Sequence, residues 1–500
     1  MSDNNILNST SKRKAGILMP IFSLPSNYGI GTLGKAAYDF VDFLYEAKQS
    51  YWQILPIGPT SYGDSPYSTF SSYAGNPYFV DLDLLVKDGL LKKADLKDIR
   101  VTNPNCVDYN YLFDTRFAIL YKAYLKGIEK YRDEFELFIK DNPFLEEYAL
   151  YMAIKEHFDN KSWIDWTDER IRKRELGALN YYKDKLSDRI LFHEFIQFLF
   201  FKQFNELKKY MNEKGIKLIG DIPIYIPLDS CDCWMNPECF KLDENYLPTE
   251  VSGVPPDYFS KNGQLWGNPI YDYEHMKTNG YKWWIDRIGA SSKIYDVIRI
   301  DHFRGFESYW SVPYGDKTAR NGKWVKGPSM DLLNVLKGWF SNTEFIAEDL
   351  GYHTPEVQQM LDNFGFPGMK VLEFGFDSRE KSNHAPHAYK ENSVCYVGTH
   401  DNSTIIGWLT AASKDDVKYC LEYHGLNDTT DFNWHMIRSG MSSVAKLFVA
   451  QLQDYLGLDD SARINTPGTL GNNWKWRLTT KLDKKLAKKI ADYTEMYERI

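Results

Sequence analysis

Eight short stretches of the chain combine apolar, β-branched and aromatic residues and end in turn or polar residues. They are GILMPI (16–21), YWQILPI (51–57), KLIGDIPI (217–224), VIRIDHF (297–303), FIAEDL (345–350), MKVLEFGF (369–376), VCYVGTH (394–400) and RINTP (463–467). Their lengths and residue types predict buried strands. Helix-like segments lie between most of them, such as 34–50, 192–215 and 354–365. The last carries its own start signal: Thr354 as N-cap, Pro355 at the first helical position and Glu356 in the first turn. Gly215 is placed to cap the end of the helix at 192–215.

Strands alternating with helices predict an α/β fold of the (β/α)8 TIM-barrel type. The interval 58–216 is too long for one crossover and contains the helical stretches 115–131 and 144–158, so it reads as a mainly helical insertion. The interval 225–290 is rich in Pro, Gly and Trp and reads as a loop-rich insertion that covers the active face. There is no internal repeat or low-complexity linker, so 1–500 is expected to be a single catalytic barrel domain. The chain ends soon after the predicted eighth strand, and no C-terminal β-sandwich is expected.

Composition narrows the function classes. Apolar residues make up 43% and charged residues 26%, values of an ordinary globular protein rather than a disordered one. The net charge is −8 and no basic block of five or more occurs, which argues against nucleic acid as a partner. No apolar run approaches the roughly 18 residues of a membrane span. The N-terminus, MSDNNILNSTSKRKAG, has no signal-peptide core, so a cytoplasmic location is the expectation. Cys231, Cys233 and Cys239 cluster, but the C-x-C-x5-C spacing matches no common zinc pattern, and no metal is assigned. Nothing signals an oligomeric state. The informative deviation is aromatic: 16% of residues, with 14 Trp and 35 Tyr. Many sit among Gly, Pro, Asp and Asn, as in 61–78 and 262–273. Exposed rings beside small polar side chains suit the flat C–H faces and hydroxyl rims of sugars.

Carboxylates at the ends of three predicted strands suggest the chemistry. In VIRID, period-2 alternation puts Val297, Arg299 and Asp301 on one face and Ile298 and Ile300 on the other. Glu348 closes FIAE, and Asp401 follows His400 after VCYVGT. The C-terminal ends of barrel strands are where such folds keep their active sites. Retaining glycosyl transfer needs one ionised carboxylate as nucleophile and one carboxylic acid for the leaving oxygen. Arg299 is expected to hold Asp301 ionised, and burial with negative neighbours to raise the pKa of Glu348. Asp401 is placed to grip sugar hydroxyls, and His302 and His400 to serve as neutral hydrogen-bonding groups at the same rim.

RIDHFRG (299–305), AEDLG (347–351) and GTHDN (398–402) resemble three signature segments of the amylomaltase family, the bacterial relatives of plant disproportionating enzyme, within the α-amylase clan. SPYS (65–68), YAGNPY (73–78), GDIPIY (220–225), GVPPDYF (253–259), GQLWGNPIYDY (263–273) and NTPGTLGNNWKWR (465–477) extend the resemblance over nearly the whole chain. It implies Asp301 as nucleophile, Glu348 as general acid/base and Asp401 as transition-state stabiliser. It also implies that Arg299, His302 and His400 surround the reacting sugar, and that Ser65, Tyr67, Asp257, Gln264, Trp266 and Asn465 bind glucose units. Ser403, the Gly471-Asn472-Asn473-Trp474 run and Pro227 depart from the family pattern without touching a catalytic carboxylate.

The implied activity is 4-α-glucanotransfer without a cofactor. Maltooligosaccharides and α-1,4-glucans are the expected donors, and glucose or glucan the acceptor. Two other readings stand beside it. An α-glucan hydrolase of the same clan uses the same carboxylates but admits water, and the covering segment 253–273 argues against it. A non-catalytic glucan-binding protein would not need acid, nucleophile and guanidinium together.

Overall fold

The computed structural model describes residues 13–61, 63–256, 260–351 and 354–500. Eight parallel strands close into a barrel: Lys14–Leu18, Tyr51–Gln53, Lys217–Ile222, Val297–Ile300, Glu344–Ala347, Gly368–Val371, Ser393–Tyr396 and Leu447–Gln451. Closure comes from the first and last strands, paired from Lys14 with Leu447 to Leu18 with Gln451. The first seven fall where the apolar runs predict them. The eighth does not. RINTP is a loop, and the barrel is closed by LFVAQ at 447–451, buried at every position. That strand runs directly into the helix Leu452–Leu456 with no turn residue between, so the sequence offers no punctuation there. RINTP imitates a strand because it docks across the barrel mouth: the Asn465 N–H donates to the His400 carbonyl (3.1 Å), and the Ile464 carbonyl accepts from Trp474 N–H (2.7 Å).

The helix Pro355–Phe364 starts and stops where the sequence says it should. The Thr354 hydroxyl accepts from Val357 N–H, and Gly365 ends the helix at φ 68°. The long helix Ser187–Glu213 carries the interval between the second and third strands. It buries Phe192, Phe195, Ile196, Leu199, Phe200 and Phe204, each side chain contributing about 1.5–3 kcal/mol on leaving water. Tyr109–Lys130, Arg132–Asp141, Phe144–His157 and Leu176–Lys185 pack on it.

The interval 225–290 is more regular than loop-rich. It supplies the strands Glu250–Val254 and Gln264–Pro269, which join Ser308–Pro313 and Lys323–Lys326 in a four-stranded antiparallel sheet. Two partners of that sheet lie beyond Asp301, so local sequence cannot announce it. Gly253 allows the first two strands to approach: a Cβ there would stand 2.5 Å from the Gln264 carbonyl oxygen. Among the described residues no helix is long and apolar enough to cross a membrane. Burial pushes the thiols of Cys231 and Cys233 well up and that of Cys239 to about 12, keeping them protonated.

Candidate active site

The barrel strands deliver their polar residues to one mouth. Val297–Ile300 buries Arg299 inside the barrel, and Asp301 follows at its C-terminal end. The neighbouring strand Lys217–Ile222 pairs in a register that sets Asp221 opposite Arg299. One guanidinium nitrogen, Nη1, then serves two carboxylates. It donates to Asp221 Oδ2 at 2.6 Å and Oδ1 at 2.8 Å, and to Asp301 Oδ1 at 2.9 Å. Asp221 and Arg299 are only 1% and 2% exposed. Tyr67 completes the cluster by donating its hydroxyl to Asp221 Oδ2 at 2.7 Å.

Glu348 stands beside Asp301, at the end of Glu344–Ala347. The Phe303 N–H donates to the Glu348 carbonyl, and the Glu348 N–H donates to the Ile300 carbonyl, stitching the two strand ends together. His302 lies in the left-handed region at φ 50°, a conformation that costs about 1–3 kcal/mol in a residue with a side chain. There its N–H donates to Glu348 Oε2 at 2.7 Å, while Leu350 N–H donates to Oε1 at 2.7 Å. The turn after Asp301 therefore fixes one oxygen of Glu348, and the loop that follows Glu348 fixes the other.

Electrostatics at this mouth depart from the sequence expectation in one respect. Arg299 does draw the pKa of Asp301 down, but burial and the nearby charges of Asp221, Glu348 and Asp401 push it up, and the upward direction wins. Burial is the largest cause, and Asp221 adds to it while taking two of the three hydrogen bonds made by Arg299 Nη1. Burial also raises Glu348 to about 7, against Arg299 and its two backbone donors. The charge of Glu348 adds to the rise at Asp301, so both carboxyls are held above their ordinary range. His302 is held down to about 3 by burial and by Arg304, and burial lowers His400; both imidazoles are neutral at pH 7.

Asp401 approaches from the loop after Ser393–Tyr396. Its Oδ1 accepts from Asn465 Nδ2 at 2.6 Å and lies 3.4 Å from His400 Nε2. The His400 ring stacks on Tyr67, with centroids 5.2 Å apart and planes at 18°, and Trp474 packs against both rings. Ser65 shapes the loop that carries Tyr67, its hydroxyl accepting from Tyr67 N–H at 3.2 Å. On the opposite rim, the Trp266 ring meets the His302 ring edge-on, centroids 4.8 Å apart. Trp266 Nε1 donates to Gln264 Oε1 at 3.2 Å, and the indole remains 38% exposed. Asp257 lies outside the described residues.

The structure thus brings Arg299, Asp301, His302, Glu348, His400, Asp401, Tyr67 and Asn465 to one mouth, with Trp266 at its edge. Sequence reasoning passed over Asp221, although it stands in the quoted GDIPIY segment. An acidic residue inside the otherwise apolar run KLIGDIPI was the available signal.

A model of the family described as 4-alpha-glucanotransferase matches residues 19–483. The chain belongs to the 4-alpha-glucanotransferase family. A 4-alpha-glucanotransferase of Clostridium butyricum is 48% identical, covering 96% of this chain and 100% of its own. A chloroplastic/amyloplastic 4-alpha-glucanotransferase of Arabidopsis thaliana is 36% identical over 98% of this chain and 86% of its own. The amylomaltase of Streptococcus agalactiae, solved in complex with acarbose, superposes with a TM-score of 0.95 at 42% identity, covering 98% of this chain and 100% of that one. As a 4-alpha-glucanotransferase, the enzyme moves a segment of an α-1,4-glucan to an acceptor glucose or glucan; retention by double displacement is typical of the family.

Proposed function

We propose that Asp301 is the nucleophile of this transfer, Glu348 its general acid and base, and Asp401 the stabiliser of the oxocarbenium-like transition state. In the first half-reaction, Asp301 Oδ attacks the anomeric carbon. The bond to the glycosidic oxygen breaks, and Glu348 gives that oxygen its proton. The shortened glucan leaves with a new 4-hydroxyl. In the second half-reaction, Glu348 takes the proton of an acceptor 4-hydroxyl, whose oxygen displaces Asp301 and restores the α linkage. No cofactor enters either step.

The observation that carries this reading is the delivery of Asp301 and Glu348 to one mouth by neighbouring barrel strands. Asp301 and Glu348 are joined through the His302 turn in a setting that raises both pKa values, Glu348 to about 7. One protonated and one ionised carboxyl is the state that double displacement requires. Arg299 anchors the nucleophile, and neutral His302 and His400 are placed to bond sugar hydroxyls. Ser65, Tyr67, Asp257, Gln264, Trp266 and Asn465 are proposed to contact glucose units. The segment 225–290 is assigned the role of a cover, on the contact between Trp266 and His302.

The test uses a glycosyl fluoride, whose leaving group needs no acid. Glu348→Gln should still be glycosylated by it and should accumulate a glycosyl–enzyme detectable by intact mass. Asp301→Asn should give none. Turnover of maltotriose by Glu348→Gln at the wild-type rate would sink the acid/base assignment.

A further inference from the structure

The Asp401 side chain is 42% exposed, against 28% for Asp301, so packing alone does not aim it. Its direction is set by hydrogen bonds, and these converge on one side chain outside the reacting set. Arg463 Nη2 donates to the main-chain carbonyl of Asp401 at 2.7 Å, and Nε donates to the main-chain carbonyl of Asn465 at 2.8 Å. Its third nitrogen, Nη1, donates to Ser403 Oγ at 3.1 Å. Asn465 in turn holds the Asp401 carboxylate through Nδ2 and is pinned to the His400 carbonyl through its own N–H. One planar fork therefore spans the two chain segments, 401–403 and 463–465, that meet at this carboxylate.

We infer that Arg463 is the positioning residue for Asp401, acting through the paired main chains of Asp401 and Asn465 rather than by touching the sugar. The inference rests on the assignment of Asp401 as the transition-state stabiliser. Guanidinium geometry is what the arrangement uses: three nitrogens in a rigid plane reach three acceptors at once. A lysine ammonium supplies the same charge from a single atom and cannot span all three. The nearest carboxylate oxygen on this guanidinium's own stretch of chain, Asp460 Oδ2, is 4.0 Å away, so hydrogen-bond geometry rather than a close ion pair is the dominant feature.

The experiment compares full-length Arg463→Lys, Asn465→Ala, the double variant and Asp401→Asn, with maltotriose as sole substrate. Misaiming a group that binds most tightly in the transition state lowers kcat and leaves KM nearly unchanged. Arg463→Lys should lose about 10- to 100-fold in kcat, as displacements of about 1 Å do, with KM within roughly threefold. Because Arg463 and Asn465 act on Asp401 as one unit, the double variant should lose no more than about threefold beyond the worse single variant. If Arg463→Lys melts below the assay temperature, Arg463→Gln is read by the same two criteria. A wild-type kcat in the Arg463 variant, or single-variant losses that multiply in the double, overturns the inference. A wild-type kcat in Asp401→Asn instead overturns the role of Asp401 itself, and that outcome is separable from the other two.

Discussion

Asp221 and Arg299 face each other across the third and fourth barrel strands as register partners, joined by hydrogen bonds of 2.6 and 2.8 Å. The pair sits one step behind Asp301 and decides how much of the guanidinium charge reaches it. Asp221→Asn should therefore change the acid side of the pH profile. With that negative charge gone, Asp301 is repelled less and Arg299 is freer to attract it, so its raised pKa falls. The acidic limb of kcat/KM should move to lower pH. Asp221→Ala should in addition destabilise the fold by about 3–5 kcal/mol, the usual cost of breaking one side of a buried ion pair. Rate profiles and denaturant melts test both; an acidic limb that moves upward would contradict the role given to Asp221.

On the roles proposed above, Glu348 should set the alkaline limb. Glycosylation requires it protonated, and its pKa stands at about 7 rather than near the ordinary 4.5. Transfer from maltotriose should hold to near neutrality and then fall about tenfold per pH unit as the acid ionises. With a glycosyl fluoride as donor the first step needs no acid, so glycosylation by Glu348→Gln should show no alkaline limb. An alkaline limb that persists in that variant would assign the titration to another group.

How far the site was legible follows from its distances along the chain. Asp301, Glu348 and Asp401 could be read because each ends a short apolar run, where a parallel barrel puts its chemistry. Arg299 could be read from alternation alone. Asp221 could not, because its importance depends on a register pairing with a residue 78 positions away. The eighth strand was missed for the opposite reason: LFVAQ flows into a helix with no turn residue to separate them. The four-stranded sheet needs partners from both sides of Asp301, so its segments carry only Gly- and Pro-marked fragments of alternation. Arg463 was quoted only as part of a strand that is a loop, and its value lies in three acceptors that only the folded chain assembles.

Transfer rather than hydrolysis should dominate the product pattern. Incubation with maltotriose alone should yield glucose and longer maltooligosaccharides, with little net gain in reducing ends. Chromatography of the products together with a reducing-end assay measures both quantities. Reducing ends that climb steadily while no longer products form would mark a hydrolase.

The balance between those outcomes should depend on Trp266. Its indole stands edge-on to His302, the neighbour of Asp301, on the outer strand of the four-stranded sheet, and the residue is 38% exposed. A ring so placed offers a face to an incoming sugar and narrows the path for water. Removing a stacked aromatic costs about 1–3 kcal/mol of contact and burial. If that loss falls on the acceptor, transfer drops roughly five- to 150-fold. Water needs no platform, so hydrolysis should drop less, and Trp266→Ala should raise the ratio of hydrolysis to transfer. The barrel core does not depend on this ring, so the melting temperature should change by no more than a few degrees. Free glucose set against longer oligosaccharides gives the ratio, and a melting curve gives the stability. An unchanged ratio with a melting point lowered by ten degrees or more would mean that Trp266 only packs the sheet against the barrel mouth.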